Sequence, residues 1–216
     1  VSGDVLRGAA SGRLVARSEL PGASSLNRSV PPLDVLHALG IETPPSLVRL
    51  FVRKQIAKGS LVLRAGQTWS TAWAVETGIL RMYFLRKDGR EFNKSFHLEN
   101  AFVLPITPAM RSEPSLFHVA AVEASTVWMA PEAEVANELR QLGQWATLQN
   151  HLLGQLLTAK LAREHDLLTL GAKQRYAKLC AEQPDLVRRV PLSMLATYLG
   201  ITDVSLSRIR RELTAG

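Results

Sequence analysis

The sequence predicts an α+β chain with a strand-rich first half and a helical second half. Apolar residues alternate with a period near two from about residue 60 to 130, in short runs punctuated by glycines. After Pro131 the period becomes that of a helix and stays so. A length of 216 residues with 46% hydrophobic residues allows one large domain or two small ones and excludes disorder throughout.

Residues 1–29 are rich in Ser, Gly and Ala with scattered Arg and have no continuous apolar run of the kind a secretory signal needs, so they read as a poorly structured leader. Residues 33–39 and 45–51 read as short helices lying against the β unit. Strands are expected at 60–64 (SLVLR), 72–76 (AWAVE), 79–86 (ILRMYFLR), 91–97 (EFNKSFH), 117–123 (FHVAAVE) and 126–130 (TVWMA). Asp88-Gly89 suits the positive φ angles of a two-residue type I′ hairpin between the third and fourth of these. Six or more short strands so spaced suggest a closed or sandwich-like β unit.

The helical half opens at 131–142, with Pro131 at the first helical position and Glu132 and Glu134 near the positive end of the helix dipole. Gly143 interrupts it. Residues 144–168 place Trp145, Leu148, Leu152, Leu156 and Ala159 on one stripe and Leu153, Leu157 and Leu161 on an adjacent one. Two apolar flanks call for two partners, the chain's own β unit and the same helix of a second subunit; a core helix of a monomer is the alternative. Gly171 caps the next helix, 172–182, with Gln174 in the capping-box position, and Pro184 ends it.

Lys and Arg number 26 against 19 Asp and Glu, a net charge of +7 with pI ≈ 10.0, which favours polyanionic partners: nucleic acid, or an anionic membrane surface. A membrane span is not expected, since the most apolar helical stretch, 148–161, carries His151, Gln155 and Lys160. The lone Cys180 excludes an internal disulfide framework, a four-thiolate zinc site and a four-cysteine iron–sulfur cluster, and fits a reducing cytoplasm. His37, His97, His118, His151 and His165 are scattered without metal-ligand spacing and read as surface or satisfied histidines. With no P-loop, dinucleotide fingerprint or nucleophile elbow, neither catalysis nor a cofactor or metal is expected. Trp69, Trp73, Trp128 and Trp145 are expected to pack the β unit and its junction with the long helix.

The most informative pattern lies at 190–213. Leu192, Leu195, Leu199, Ile201, Leu206 and Ile209 supply apolar positions, Ala196 permits close approach and Gly200 a turn, which is the spacing of a helix-turn-helix. Thr202 suits the N-cap of the second helix and Asp203 its first turn. The outward face then presents Val204, Ser205, Ser207, Arg208 and Arg211. From residue 169 onward eight Lys and Arg stand against four acids, so over half of the net charge lies in under a quarter of the chain.

This arrangement resembles the CRP/FNR family of bacterial transcription regulators. The resemblance runs from about Ser46 to Leu213 and rests on the glycines of the β unit with Lys87-Asp88-Gly89-Arg90, the linking helix, Arg175-Tyr176, and Leu199-Gly200-Ile201-Thr202 followed by Ser205-Leu206-Ser207-Arg208-Ile209-Arg210. It implies an N-terminal antiparallel β-roll, of the double-stranded β-helix or jelly-roll type, as sensor (30–143), a dimerisation helix (144–168) and a winged-helix-like helix-turn-helix domain (169–216). The long-helix stripe of Trp145, Leu148, Leu152, Leu156 and Ala159 would then face a second subunit. Partners would be double-stranded DNA and a second copy of the chain, with RNA polymerase and an unknown small-molecule effector as further candidates. Val204, Ser205 and Arg208 would meet base edges, and Arg188, Arg189, Ser193, Thr202 and Arg211 would meet phosphates. An effector pocket is expected beside Leu104, Ile106, Leu116 and Phe117.

Two departures from the family pattern stand out. Its cyclic-nucleotide cassette carries Gly-Glu and then Arg-Ser or Arg-Thr; those positions here hold Leu104-Pro105 and Ser115-Leu116, so neither the ribose carboxylate nor the phosphate cation is present. No cyclic-nucleotide response is expected, with Arg111-Ser112 the alternative phosphate holder. Val204 stands where members often place a glutamate, and it offers only apolar contact, for example with a thymine methyl. The competing reading is a ligand-sensing or protein-interaction module whose basic tail binds anions without sequence choice.

Overall fold

The structure, a computed structural model, describes residues 30–214. The expected leader at 1–29 lies outside the described residues. Two short helices, α1 (Asp34–Ala38) and α2 (Pro45–Arg49), lead into strands β1 (Val52–Ile56), β2 (Leu61–Leu63), β3 (Thr71–Thr77), β4 (Leu80–Leu85), β5 (Glu91–His97) and β6 (Phe102–Val103). A one-turn helix, α3 (Pro108–Ser112), precedes β7 (His118–Ala121) and β8 (Ser125–Pro131). Helices follow to the end: α4 (Glu132–Gln141), α5 (Trp145–Thr169), α6 (Ala172–Glu182), α7 (Pro184–Arg189), α8 (Leu192–Leu199) and α9 (Asp203–Thr214).

The strands form two four-stranded antiparallel sheets, in the orders β1-β8-β3-β6 and β2-β7-β4-β5. Period-two alternation sets what each face meets. On β3, Trp73 and Val75 point between the sheets while Ala72 and Ala74 face the helices; on β8, Val127 does the former and Trp128 and Ala130 the latter. Between the sheets Trp69 stacks on Trp73 at 4.9 Å and meets the Phe117 edge at 5.8 Å. The helix-side core joins Leu36, Leu47, Leu139, Trp145, Leu148 and Leu152. A third core holds α6 to α9 together and continues onto the roll through Ile79 and Val122.

Several local expectations change. β1 and β6 escape a periodicity reading because Val52–Ile56 has four exposed residues in succession and β6 has two residues. Pro131 closes β8 and acts as the N-cap of α4 rather than its first residue. The Asp88-Gly89 turn is not type I′: Gly89 has φ 81° but Asp88 stays at negative φ, and the Gly89 N–H bonds the Arg86 carbonyl at 3.0 Å while the Arg86 N–H bonds that of Arg90 at 2.9 Å. This is a three-residue loop with glycine at the bulge, which needs only one left-handed residue. Helix α7, unmarked in the sequence pattern, starts at Pro184 itself, so that proline both ends α6 and opens the next helix. No strand lies beyond β8 among the described residues, so the C-terminal domain is helical there, without the strands of a wing. No helix among the described residues is long and apolar enough to cross a membrane.

Candidate nucleic-acid interface

Helix α8 ends where Gly200 adopts φ 71°, and the Ile201 N–H reaches back to the Ala196 carbonyl at 3.0 Å, the longer bond of a Schellman cap. The left-handed residue turns the chain, and α9 begins under Thr202, whose Oγ1 accepts the Ser205 N–H at 3.2 Å and donates to Ser205 Oγ at 2.9 Å. Leu195, Ala196, Leu199, Leu206 and Ile209 are buried where the two helices cross. Arg175 pins the unit from α6: its guanidinium donates to the Leu199 carbonyl at 3.2 Å and to the Leu170 carbonyl at 2.6 Å.

The face of α9 turned away from this core carries Val204, 76% exposed, and Arg208, whose side chain is 73% exposed and only loosely paired with Glu212 at 3.8 Å. Arg211 is exposed and Ser205 half-buried on the same helix, and Thr202 and Ser193 are exposed at the starts of α9 and α8. Arg188 is exposed and paired with Asp185 at 2.8 Å. Arg189 sits differently from the expected phosphate contact. Its guanidinium donates to both Glu99 oxygens, at 2.9 and 2.6 Å, and to Glu123. Those bonds hold the Arg189 pKa above its usual range, Glu99 first and Glu123 second. At Glu99, burial pushes the carboxyl up, but the hydrogen bonds from Arg189 and from the Gly78 N–H outweigh it and the net shift is downward. Arg189 thus fastens the helical domain to the roll.

A second fastening is equally absent from the sequence pattern. Asn93, buried on β5, donates from Nδ2 to Thr197 Oγ1 at 2.8 Å and to the Met194 carbonyl at 3.2 Å, and its Oδ1 accepts from Arg81 at 3.3 Å. The Phe96 and Tyr198 rings meet edge to face at 5.4 Å beside it. No sequence signal marks these pairs, because Asn93 and Thr197 lie on elements a hundred residues apart and become partners only on docking.

Two other expected groups are redistributed. In the stripe of Trp145, Leu148, Leu152, Leu156 and Ala159, the first three are buried in the chain's own core, Leu156 packs partly against it and Ala159 is exposed. The unpartnered stripe of α5 is instead Leu157, Leu161 and Leu168, at 59%, 57% and 79% exposure. Of the expected pocket residues, Leu104 and Ile106 line a cavity of about 930 Å³ between β5, α5 and α8, whereas Leu116 is 82% exposed and Phe117 is buried between the sheets. His97 also lines it, held neutral with its pKa lowered to about 4 by burial and then by Lys94. Its Nε2 meets Ser95 Oγ at 3.2 Å, which makes it a satisfied histidine, and among the described residues no three His, Cys, Asp or Glu side chains gather as metal ligands.

The architecture has solved counterparts. FixK2 from Bradyrhizobium japonicum is similar with a TM-score of 0.66 at 19% identity, over 76% of this chain and 85% of that one. The global regulator CLP from Xanthomonas campestris gives 0.60 at 16% identity, over 77% and 88%. A Eubacterium rectale protein described as a transcriptional regulator of the CRP/FNR family gives 0.63 at 17%, over 80% and 84%. The chain has the CRP/FNR regulator fold. No family model and no curated protein matches it. In the terms of the CRP/FNR fold, the two sheets form the β-roll, α5 is the long connecting helix and α8–α9 the helix-turn-helix.

Proposed function

We propose that the protein is a cytoplasmic, homodimeric transcription regulator that binds a near-palindromic DNA operator through α9, with duplex DNA and RNA polymerase as macromolecular partners and no catalytic role. In this reading residues 30–143 sense, 144–168 connect and dimerise, and the helix-turn-helix domain reads DNA. The observation that carries it is the outward face of α9, where Val204 and Arg208 stand exposed on a helix whose opposite face is locked by Leu206 and Ile209. An extended guanidinium there suits a bidentate bond to guanine O6 and N7, and Val204 an apolar contact with a thymine methyl. Ser205 joins them as a base contact, while Ser193, Thr202, Arg188 and Arg211 hold phosphates and set register. Arg189, committed to Glu99 and Glu123, is not assigned a phosphate.

The second subunit is assigned to the outer stripe of α5. Gly154, Leu161 and Leu168 recur every seven residues with Leu157 between them, the repeat of a two-helix seam, and the small Gly154 admits a close approach. A twofold pair would present two α9 helices to half-sites about one helical turn apart.

Cyclic AMP is not the effector in this reading. Arg111, the expected alternative phosphate holder beside the cassette position, donates to Glu132 at 2.9 Å and to the carbonyls of Pro105 and Ile106 at 3.0 and 3.1 Å. Freeing it would leave the buried Glu132 carboxylate unpaired. The deciding experiment is selection from random duplexes followed by a gel shift at physiological salt. A recovered palindrome that outcompetes a scrambled duplex supports the reading, and equal retention of both identifies a non-specific anion binder.

A further inference from the structure

We propose that Arg189 and Asn93, by docking the helical domain on the roll, fix the separation of the two recognition helices and so determine which half-site spacing the protein accepts. This role rests on the reading of α9 as the DNA-reading helix and adds two positioning residues that do not themselves touch DNA.

The chain joins its two domains at one point. Between α5 and α6 only Leu170 and Gly171 leave the helical conformation, and both are extended, with ψ 139° and 160°. Arg175 bonds the carbonyls of Leu170 and Leu199, which fastens this joint to α8 but not to the roll. Two extended residues alone would let the domain swing. Three contacts remove that freedom. Ile79 and Val122 of the roll are buried in one core with Leu186, Val190 and Leu195. Arg189, at the end of α7, is held by Glu99 and Glu123 from the loops that follow β5 and β7, and a guanidinium forked between two carboxylates tolerates a narrow range of orientations. Asn93 grips α8 at Thr197 Oγ1 and at the Met194 carbonyl.

The docked face is not the reading face. Met194, Thr197 and Tyr198 meet β5, while Val204 and Arg208 stay exposed on α9. Docking therefore leaves the DNA surface open and sets where it points. The leverage is large. Half-sites about 34 Å apart place each α9 about 17 Å from the twofold axis, and at that radius a swing of about 10° moves the helix about 3 Å, close to the ~3.4 Å rise of one base pair. Two undocked subunits would accept spacers a base pair or more either side of the best one, which two docked subunits reject. Arg188 is the internal contrast: it is adjacent in sequence but pairs with Asp185 of its own helix and so orients nothing against the roll.

The test measures the affinity of the full chain, by fluorescence anisotropy at physiological salt, for duplexes that carry the selected half-sites at the selected spacing and at spacings one and two base pairs longer or shorter. A duplex with a single half-site is the reference. The wild type should lose about a hundredfold when the spacing changes by one base pair, the size expected when one half-site loses its base contacts. Arg189→Gln and Asn93→Ala should each cut that penalty to about tenfold or less while binding the single half-site within about twofold of the wild type, which also reports that the reading domain is folded. Arg188→Gln should weaken every spacing in proportion and leave the shape of the profile unchanged. The role is overturned if the wild type tolerates the changed spacings, if the variants keep the wild-type profile, or if both lose half-site binding; should one alone lose it, the profile of the other decides. Absence of any operator preference in the wild type would remove the reading of α9 and this role with it, whereas a retained preference with an unchanged profile removes this role alone.

Discussion

Gly78 and Gly200 offer a matched pair for weighing backbone conformation against close approach. Both hold positive φ, 91° and 71°, so alanine at either carries a left-handed strain of about 1–2 kcal/mol. Their surroundings differ. A Cβ on Gly200 would meet only the flexible Leu167 Cδ2 at 3.5 Å, whereas one on Gly78 would stand 2.2 Å from Ser125 Oγ, 2.6 Å from its Cβ and 2.7 Å from its Cα. Ser125 is buried in β8 and its neighbour Thr126 pairs with Thr77, so the strand itself must move. Overpacking of this kind adds about 1–3 kcal/mol, giving roughly 3–5 kcal/mol for Gly78→Ala against about 1–2 for Gly200→Ala. Urea unfolding measures the first through tryptophan fluorescence, because Trp69, Trp73, Trp128 and Trp145 all report on the roll and its helix, and the second through far-UV circular dichroism. Ser125→Gly added to Gly78→Ala should recover only part of the loss, since the new methyl would still stand 2.7 Å from the main chain of β8. Equal costs at the two glycines, or full rescue, would refute a clash with the strand backbone. The outcome bears on function because the Gly78 N–H holds Glu99, which holds Arg189 and with it the helical domain.

Three further outcomes are expected. Arg208→Ala should cost about 1–3 kcal/mol on the selected operator and little on random duplex, whereas Arg211→Ala should weaken both and reduce the salt slope by about one; equal losses on both DNAs for Arg208→Ala would remove its base-reading role. Leu161→Glu should convert a dimer to a monomer in light scattering and weaken operator binding, and an unchanged molar mass would move the interface elsewhere. Acidification should destabilise the roll through His97: its folded pKa, about 4, lies below the unfolded value of 6.5, so the unfolded state binds more protons between them and stability is lost as pH falls through that window. The slope is at most about 1.4 kcal/mol per pH unit, so moving from pH 6.5 to 5 should cost up to about 2 kcal/mol, and His97→Gln should flatten that stretch of the titration.

Short apolar runs bounded by the turn glycines Gly66, Gly78 and Gly89 made β3, β4 and β5 readable from the chain, β3 and β4 burying both faces, and the turn at Gly200 was readable because a left-handed cap has few residue choices. The edge strand β1 and the helix α7 were not, since neither carries a period strong enough over its length. Among the expected site residues, exposure agrees with the assignment at Val204 and Arg208, but Arg189 looked like any other basic residue beside Arg188 until Glu99 and Glu123 were brought to it. The same holds for α5. Its two apolar stripes were visible, but which stripe meets the chain's own sheets depends on how the helix is rolled against them, and the packing turns Leu148 and Leu152 inward and Leu161 and Leu168 outward.

Local chemistry therefore sufficed for the α+β division, the helix-turn-helix and the concentration of positive charge around it, because periodicity, capping and charge are properties of neighbours along the chain. Docking decided the rest. Asn93 against Thr197, Arg189 against Glu99, and Lys94 opposite Lys160 and Arg163 join residues from about 66 to more than 100 positions apart, and the physical meaning of each side chain depends on the partner that the fold places before it.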